Sequence, residues 1–208
     1  QKDAAFVNDI MQLYRVAVNK GFQTGDWSEA NRIVGVISSF QRKFGNAETI
    51  PTDSQVDLEI TYNKANIFKH LMRAYLAVGF ILLILQFVQV LKPRFKFRTV
   101  FNIGYAVFIV LFLLHGIGLG VRWYLSGHAP WSDGYEATVF IGFVAALCGV
   151  LFYKRFPIIV PVAGIMAWLL LFVAHLSVMD PQMTDLVPVL KSYWLKIHVA
   201  VITGSYAF

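Results

Sequence analysis

The sequence predicts an all-α polytopic membrane protein, with about five transmembrane helices behind an extracytoplasmic helical segment. Three observations carry that prediction. Of 208 residues, 57% are apolar and only 14% charged, with a mean hydropathy of +0.60, a balance outside the soluble class. Five apolar runs approach or exceed the roughly 18 residues that carry a helix across a hydrocarbon core of about 30 Å. The short connections between these runs hold positive charge unevenly, as membrane topology requires.

Residues 1–72 read as amphipathic helices. Phe6, Ile10, Leu13, Tyr14 and Ala17 recur at helical spacing and predict the first. A second is expected to start at Asp26, with Glu29 as its capping-box partner and Gly45 as its C-terminal cap. Its apolar face holds Ile33, Ile37, Phe40 and Phe44. A third is expected from Asp53, with Val56, Ile60, Ile67 and Leu71 on one side, running directly into the membrane. The membrane domain, 73–208, then contains spans at Ala74 to Leu91, Thr99 to Val121, Tyr135 to Phe152, Phe156 to Leu176, and Tyr193 to Phe208. The chain begins without Met and stops inside the last run, so a piece of a longer protein is expected.

Lys92, Arg94, Lys96 and Arg98 fill one short loop, and Lys154 and Arg155 the other, with no acid in either. These six charges equal the whole net charge of +6, the rest of the chain being balanced. The basic balance therefore reports orientation, and it calls for no nucleic-acid partner. Loops 92–98 and 153–155 are expected in the cytoplasm, and residues 1–72 with loops 122–134 and 177–192 outside. Membrane lipid is the one partner that composition itself requires. Cys148 lies alone within an apolar run, which excludes a disulfide, a CxxC redox pair and a thiolate metal site.

Four of the five histidines, His115, His128, His175 and His198, fall toward the outer face. His115 is the seventeenth residue of its span, about 25 Å from the cytoplasmic end. An ionisable group at such depth is costly, and neutral imidazole ligates haem iron, zinc or copper. No HxxxH, ExxH or HxH spacing supports zinc or copper, whereas haem needs only one or two imidazoles and an apolar pocket. Each histidine taken singly also fits a hydrogen-bonded interhelical position. Trp123, Tyr124, Trp131, Tyr135, Tyr193 and Trp194 map to the same boundary, where an interfacial aromatic belt collects anyway. Gly116 and Gly120 form a GxxxG face expected to pack closely against a neighbouring helix. Trp194 and His198 are four apart, hence on one helical face.

Two longer motifs stand out. One is Arg-Trp-Tyr-Leu-Ser-Gly-His-Ala-Pro-Trp-Ser-Asp-Gly-Tyr-Glu-Ala from Arg122 to Ala137, preceded by His115 and Gly116. The other is Leu-Val-Pro-Val-Leu-Lys-Ser-Tyr-Trp-Leu-Lys-Ile-His-Val from Leu186 to Val199, followed by Gly-Ser-Tyr-Ala-Phe. Together they resemble the CcsA (ResC) family of cytochrome c biogenesis proteins. The N-terminal segment, through Gly-Phe-Gln-Thr-Gly-Asp-Trp-Ser-Glu-Ala-Asn-Arg, looks like the end of the CcsB (ResB) portion of fused proteins of this kind.

The resemblance implies a system II holocytochrome c synthase of the bacterial inner membrane. Such a protein moves haem b outward and supports its covalent attachment to the CxxCH thiols of apocytochrome c. Its implied partners are apocytochrome c, the CcsB/ResB portion and a thiol-reducing protein. It also implies that His198 is an axial haem ligand, with haem iron as the metal. Trp194, His115, His128, Trp131, Tyr135 and His175 are candidates for the surrounding pocket. The partner histidine, a Trp-rich signature and a later transmembrane histidine are expected downstream, so this piece alone is expected to be inactive. Two other functions stay open. Glycines and proline at depth (Gly116, Gly164, Pro161) suit a small-molecule or ion transporter, though the cytoplasmic half of the spans holds no ionisable residue. A structural haem-binding assembly subunit would hold haem without transferring it.

Overall fold

The computed structural model describes residues 2–45, 50–94, 97–176, 179, 181–182 and 192–207, with side chains from Asp9 onward. Among these residues all regular structure is α-helix: α1 Lys2–Thr24, α2 Ser28–Phe44, α3 Asp53–Ala65, α4 Ile67–Leu91, α5 Arg98–Ser126, α6 Gly134–Phe152, α7 Ile159–Ala174 and α8 Tyr193–Ser205. The chain forms two compact units, Gln1–Asp57 and Leu58–Phe208.

In the first unit α1 and α2 pack through Ala17, Ala30 and Ile33, flanked by Ile10, Tyr14, Val18 and Ile37. Those positions follow the expected helical stripe, but Leu13 and Phe44 point outward, and the side chain of Phe6 lies outside the described residues. The capping box expected at Asp26 does not form. The Asp26 carboxylate accepts from Ser28 N at 3.0 Å, so α2 opens two residues later. Glu29 turns instead to Lys20 at 2.9 Å, and that hydrogen bond and charge hold its carboxyl below the usual range. Gly45 occupies the C-cap with an extended backbone, its N–H donating to Gln41 O at 2.7 Å.

The third and fourth helices are not continuous. Asn66 sits in the left-handed region, φ 43° and ψ 45°, a conformation Asn tolerates better than most residues. Its carbonyl accepts from Lys69 N and His70 N and thereby opens α4. Val56 and Ile60 on α3 remain exposed, so the apolar side expected there begins to be buried only at Phe68 and Leu71.

Each of the five apolar runs contains a helix among the described residues. Among the described residues three stretches, Asp53–Leu91 taken across the left-handed Asn66, Arg98–Ser126 and Gly134–Phe152, are long and apolar enough to cross a membrane, and Ile159–Ala174 is a shorter apolar helix. The protein is therefore an all-α multi-pass membrane protein. With 29 residues α5 is about 43 Å long, more than the hydrocarbon thickness. Arg122 to Ser126, expected in a loop, are its last turns.

Within the membrane unit α7 packs against α4 and α6, α5 also touches both of them, and α8 lies on α6. The α4–α7 crossing is backbone against backbone. A Cβ on Gly164 would lie 3.1 Å from Gly79 Cα, and one on Gly79 would lie 3.0 Å from Ile165 N. Of the GxxxG face expected at Gly116 and Gly120, only Gly116 packs closely, a Cβ there lying 3.3 Å from the Phe143 ring of α6, whereas a Cβ on Gly120 would meet nothing within 4 Å. Pro161 falls in the first turn of α7, where its missing N–H costs nothing, so the helix is unbroken. Tyr75, Phe108, Val139, Val160 and Leu171 fill the core. Arg98 and Lys154 share one cavity, so the start of α5 and the α6–α7 turn lie at one end, and His128 and His175, beyond the far ends of α5 and α7, lie at the other. Lys96, Asp180, Asp185, Lys191 and Phe208 lie outside the described residues.

Candidate functional site at the histidine end

The α5–α6 connection is organised by one buried carboxylate. Asp133, the N-cap of α6, accepts from Glu136 N at 2.7 Å, which fixes the first turn and points the Glu136 side chain inward. There Arg122 Nε donates to Glu136 Oε1 at 2.8 Å, and Ser132 N donates to Oε2 at 3.0 Å. Arg122 also donates to the carbonyls of Pro181 at 2.9 Å and Gln182 at 3.3 Å, and its guanidinium lies 5.0 Å from the Tyr135 ring centre. Charge removed from water in this way is tolerable because each of the three guanidinium nitrogens donates and both carboxylate oxygens accept.

His128 belongs to the same turn. It is buried, its Nδ1 donates to Ala129 O at 3.2 Å, and it stands 3.8 Å from Glu136 Oε2. His115 lies elsewhere, in the core. Its ring meets Phe68, Tyr75 and Phe143 with centroids 5.5 to 5.9 Å away, and its Nε2 donates to Val139 O at 3.2 Å.

A cavity of about 440 Å³ opens beside Arg122, with Tyr62, Asn66, Tyr135 and His175 on its walls. Tyr135 and His175 meet edge to face at 6.2 Å. His175 Nδ1 donates to Leu171 O at 2.8 Å, which leaves Nε2 as the ring's free electron pair.

Helix α8 presents its histidine differently. Trp131 Nε1 donates to Lys196 O at 3.1 Å, and Trp131, Ser132, Leu195, Lys196 and Val199 line one small pocket. That contact seats one side of α8 on the α6 region. The opposite side carries Trp194, 77% exposed, and His198, also exposed. The shared face expected from their spacing is therefore the unpacked face of α8. An exposed imidazole beside an exposed indole places a nitrogen ligand next to an apolar ring surface. No group of three or more His, Cys, Asp or Glu poised for a metal ion occurs among the described residues.

The structure thus separates the candidates into three places: His128, Trp131 and Tyr135 around the Glu136 turn with His175 at its cavity, His115 in the core, and His198 with Trp194 on α8. Sequence reasoning missed the Arg122–Glu136 pair and the walls supplied by Tyr62 and Asn66. Asp-Gly-Tyr-Glu at 133–136, a capping signature, was the available signal for the inward carboxylate.

Residues 131–208 match the family described as Cytochrome C assembly protein. The chain is 43% identical over 172 residues to Protein NrfI of Wolinella succinogenes, covering 83% of this chain and 19% of that protein. It is 33% identical over 117 residues to the cytochrome c biogenesis protein CcsA of Guillardia theta, covering 54% and 38% of the two chains. Against CcsA of Prochlorococcus marinus strain MIT 9515 the identity is 36% over 120 residues, covering 56% and 36%. The chain thus spans well under half the length of these relatives.

Proposed function

We infer the function from one premise: the chain is of the CcsA type, and it belongs with the cytochrome c assembly proteins through residues 131–208. Its role is in cytochrome c biogenesis. The proposed activity of the whole protein is to receive haem b, present it at the outer membrane face and support its attachment to apocytochrome c. Proposed partners are apocytochrome c, a CcsB/ResB portion and a thiol-reducing protein. The proposed location is the bacterial inner membrane, with the basic turns in the cytoplasm and the histidine end outside.

The observation that carries this reading is His198 on the unpacked face of α8, one turn from Trp194. His198 would hold haem iron through its imidazole, and the Trp194 indole would offer an apolar neighbour for the macrocycle. Trp131 has a positioning role, because its hydrogen bond to Lys196 O fixes the side of α8 opposite His198. Tyr135 and His175 border the neighbouring cavity, and His128 orders the turn that carries Trp131.

Attachment adds each CxxCH thiol across a haem vinyl group. The S–H bond and the vinyl π bond break, a C–S and a C–H bond form, and no external oxidant is consumed. The contribution of the protein is then mainly to hold vinyl and thiol in register. The experiment is assembly of a reporter cytochrome c by the full-length protein with His198→Ala. Loss of covalent haem in the reporter, with membrane levels of the variant unchanged, is expected. Undiminished assembly overturns the reading.

A further inference from the structure

The basic end holds a cavity of about 540 Å³ between the end of α4, the start of α5 and the α6–α7 turn. Its walls include Gln86, Gln89, Arg98, Asn102, Tyr153 and Lys154. No acid is among its lining residues, and neither Arg98 nor Lys154 forms an ion pair among the described residues. The wall is built rather than incidental. Tyr153 stacks on Tyr105 with centroids 3.8 Å apart, Tyr105 OH donates to Val150 O at 3.0 Å, and Tyr153 OH donates to Asn102 Oδ1 at 3.2 Å. The Asn102 amide therefore keeps its N–H donors for another group. Arg98 is also the first residue of α5, where unpaired backbone N–H groups add positive potential. Gln89 Oε1 is buried without a partner and calls for a donor.

Two cations, an amide donor and one orphaned acceptor describe a hydroxylated anion. The surroundings say where it comes from. Phe87, Leu91 and Ile103 are exposed on the flanks of α4 and α5 near the cavity, a surface for acyl chains at headgroup depth. Basic pockets between membrane helices on the cytoplasmic side are suited to anionic lipid headgroups. We propose that this cavity binds the phosphodiester headgroup of an anionic, hydroxyl-bearing phospholipid of the phosphatidylglycerol type. Arg98 and Lys154 hold the phosphate, Asn102 donates to it, and Gln89 accepts from a headgroup hydroxyl. The site stands independently of haem chemistry at His198 and uses only the orientation of the basic turns.

The test is lipid retention by the purified full-length protein from nanodiscs of equal parts phosphatidylcholine and phosphatidylglycerol, read by mass spectrometry of co-purified lipid. The native protein is expected to retain phosphatidylglycerol preferentially. Arg98→Gln and Lys154→Gln each lower the preference by about five-fold and together by on the order of 25-fold. Arg98→Lys with Lys154→Arg is expected to keep it, which separates lost charge from lost folding. Equal retention of the two lipids, or a preference unchanged in the double Gln variant, overturns the proposal. Displacement of the lipid by added haem, with the double Gln variant losing haem rather than lipid, also overturns it and assigns the cavity to the cargo. An unchanged His198-dependent haem spectrum in these variants leaves the two readings separately judged.

Discussion

Arg122 and Glu136, fourteen residues apart across the α5–α6 turn, meet at 2.8 Å with side chains only 3% and 0% exposed. Both charges are out of water, so removing one strands the other. Arg122→Met and Glu136→Leu are each predicted to destabilise by about 3–5 kcal/mol, whereas the two together cost less than the sum of the singles. Thermal unfolding of the four forms in detergent checks this. Additive costs would mean the two groups are uncoupled.

Gly164→Val is predicted to force α7 away from α4, because the nearest atom to its Cβ is Gly79 Cα at 3.1 Å and a backbone cannot step aside. The expected loss is about 1–3 kcal/mol. Gly120→Val, in the spacing motif that looked equally suited to packing, is predicted to be nearly neutral, since its Cβ direction is open. Unfolding midpoints of the two variants decide between the glycines.

That contrast marks what the sequence could tell. The apolar runs became helices because length and apolarity suffice to define a span, and the Trp194–His198 face followed from helical period alone. Which glycine touches a backbone depends on the neighbouring helix, and spacing within one helix does not contain that. The Arg122–Glu136 pair was hidden for the same reason: each residue read as one charge among several at an outer boundary. Asn66 breaks α3 from α4 through a single left-handed residue, which hydrophobic pattern does not register.

His115 is surrounded by Phe68, Tyr75 and Phe143 and fully buried, so it is predicted to act in packing rather than as a haem ligand. His115→Ala should lower stability by about 2–4 kcal/mol, in the range of other large-to-small core changes, while the haem spectrum of the surviving protein is unchanged. A lost or shifted haem band at equal protein recovery would give His115 a direct role.

Trp131→Phe keeps the ring's bulk but deletes the donor to Lys196 O. The predicted cost is about 0.5–1.5 kcal/mol, concentrated in the seating of α8. Hydrogen exchange across α8 should rise, and haem affinity should fall less than in a His198 variant. Exchange unchanged in α8 would remove Trp131 from its positioning role.

The most direct test concerns His198 itself. The full-length protein carrying His198→Gly is to be purified, loaded with haem and followed by visible absorption with and without added imidazole. The native haem band is expected to be lost and to return as free imidazole fills the space of the missing ring, with cytochrome c assembly recovering in parallel. A His198→Gly protein that keeps the native band and assembly without imidazole would rule out His198 as the haem ligand.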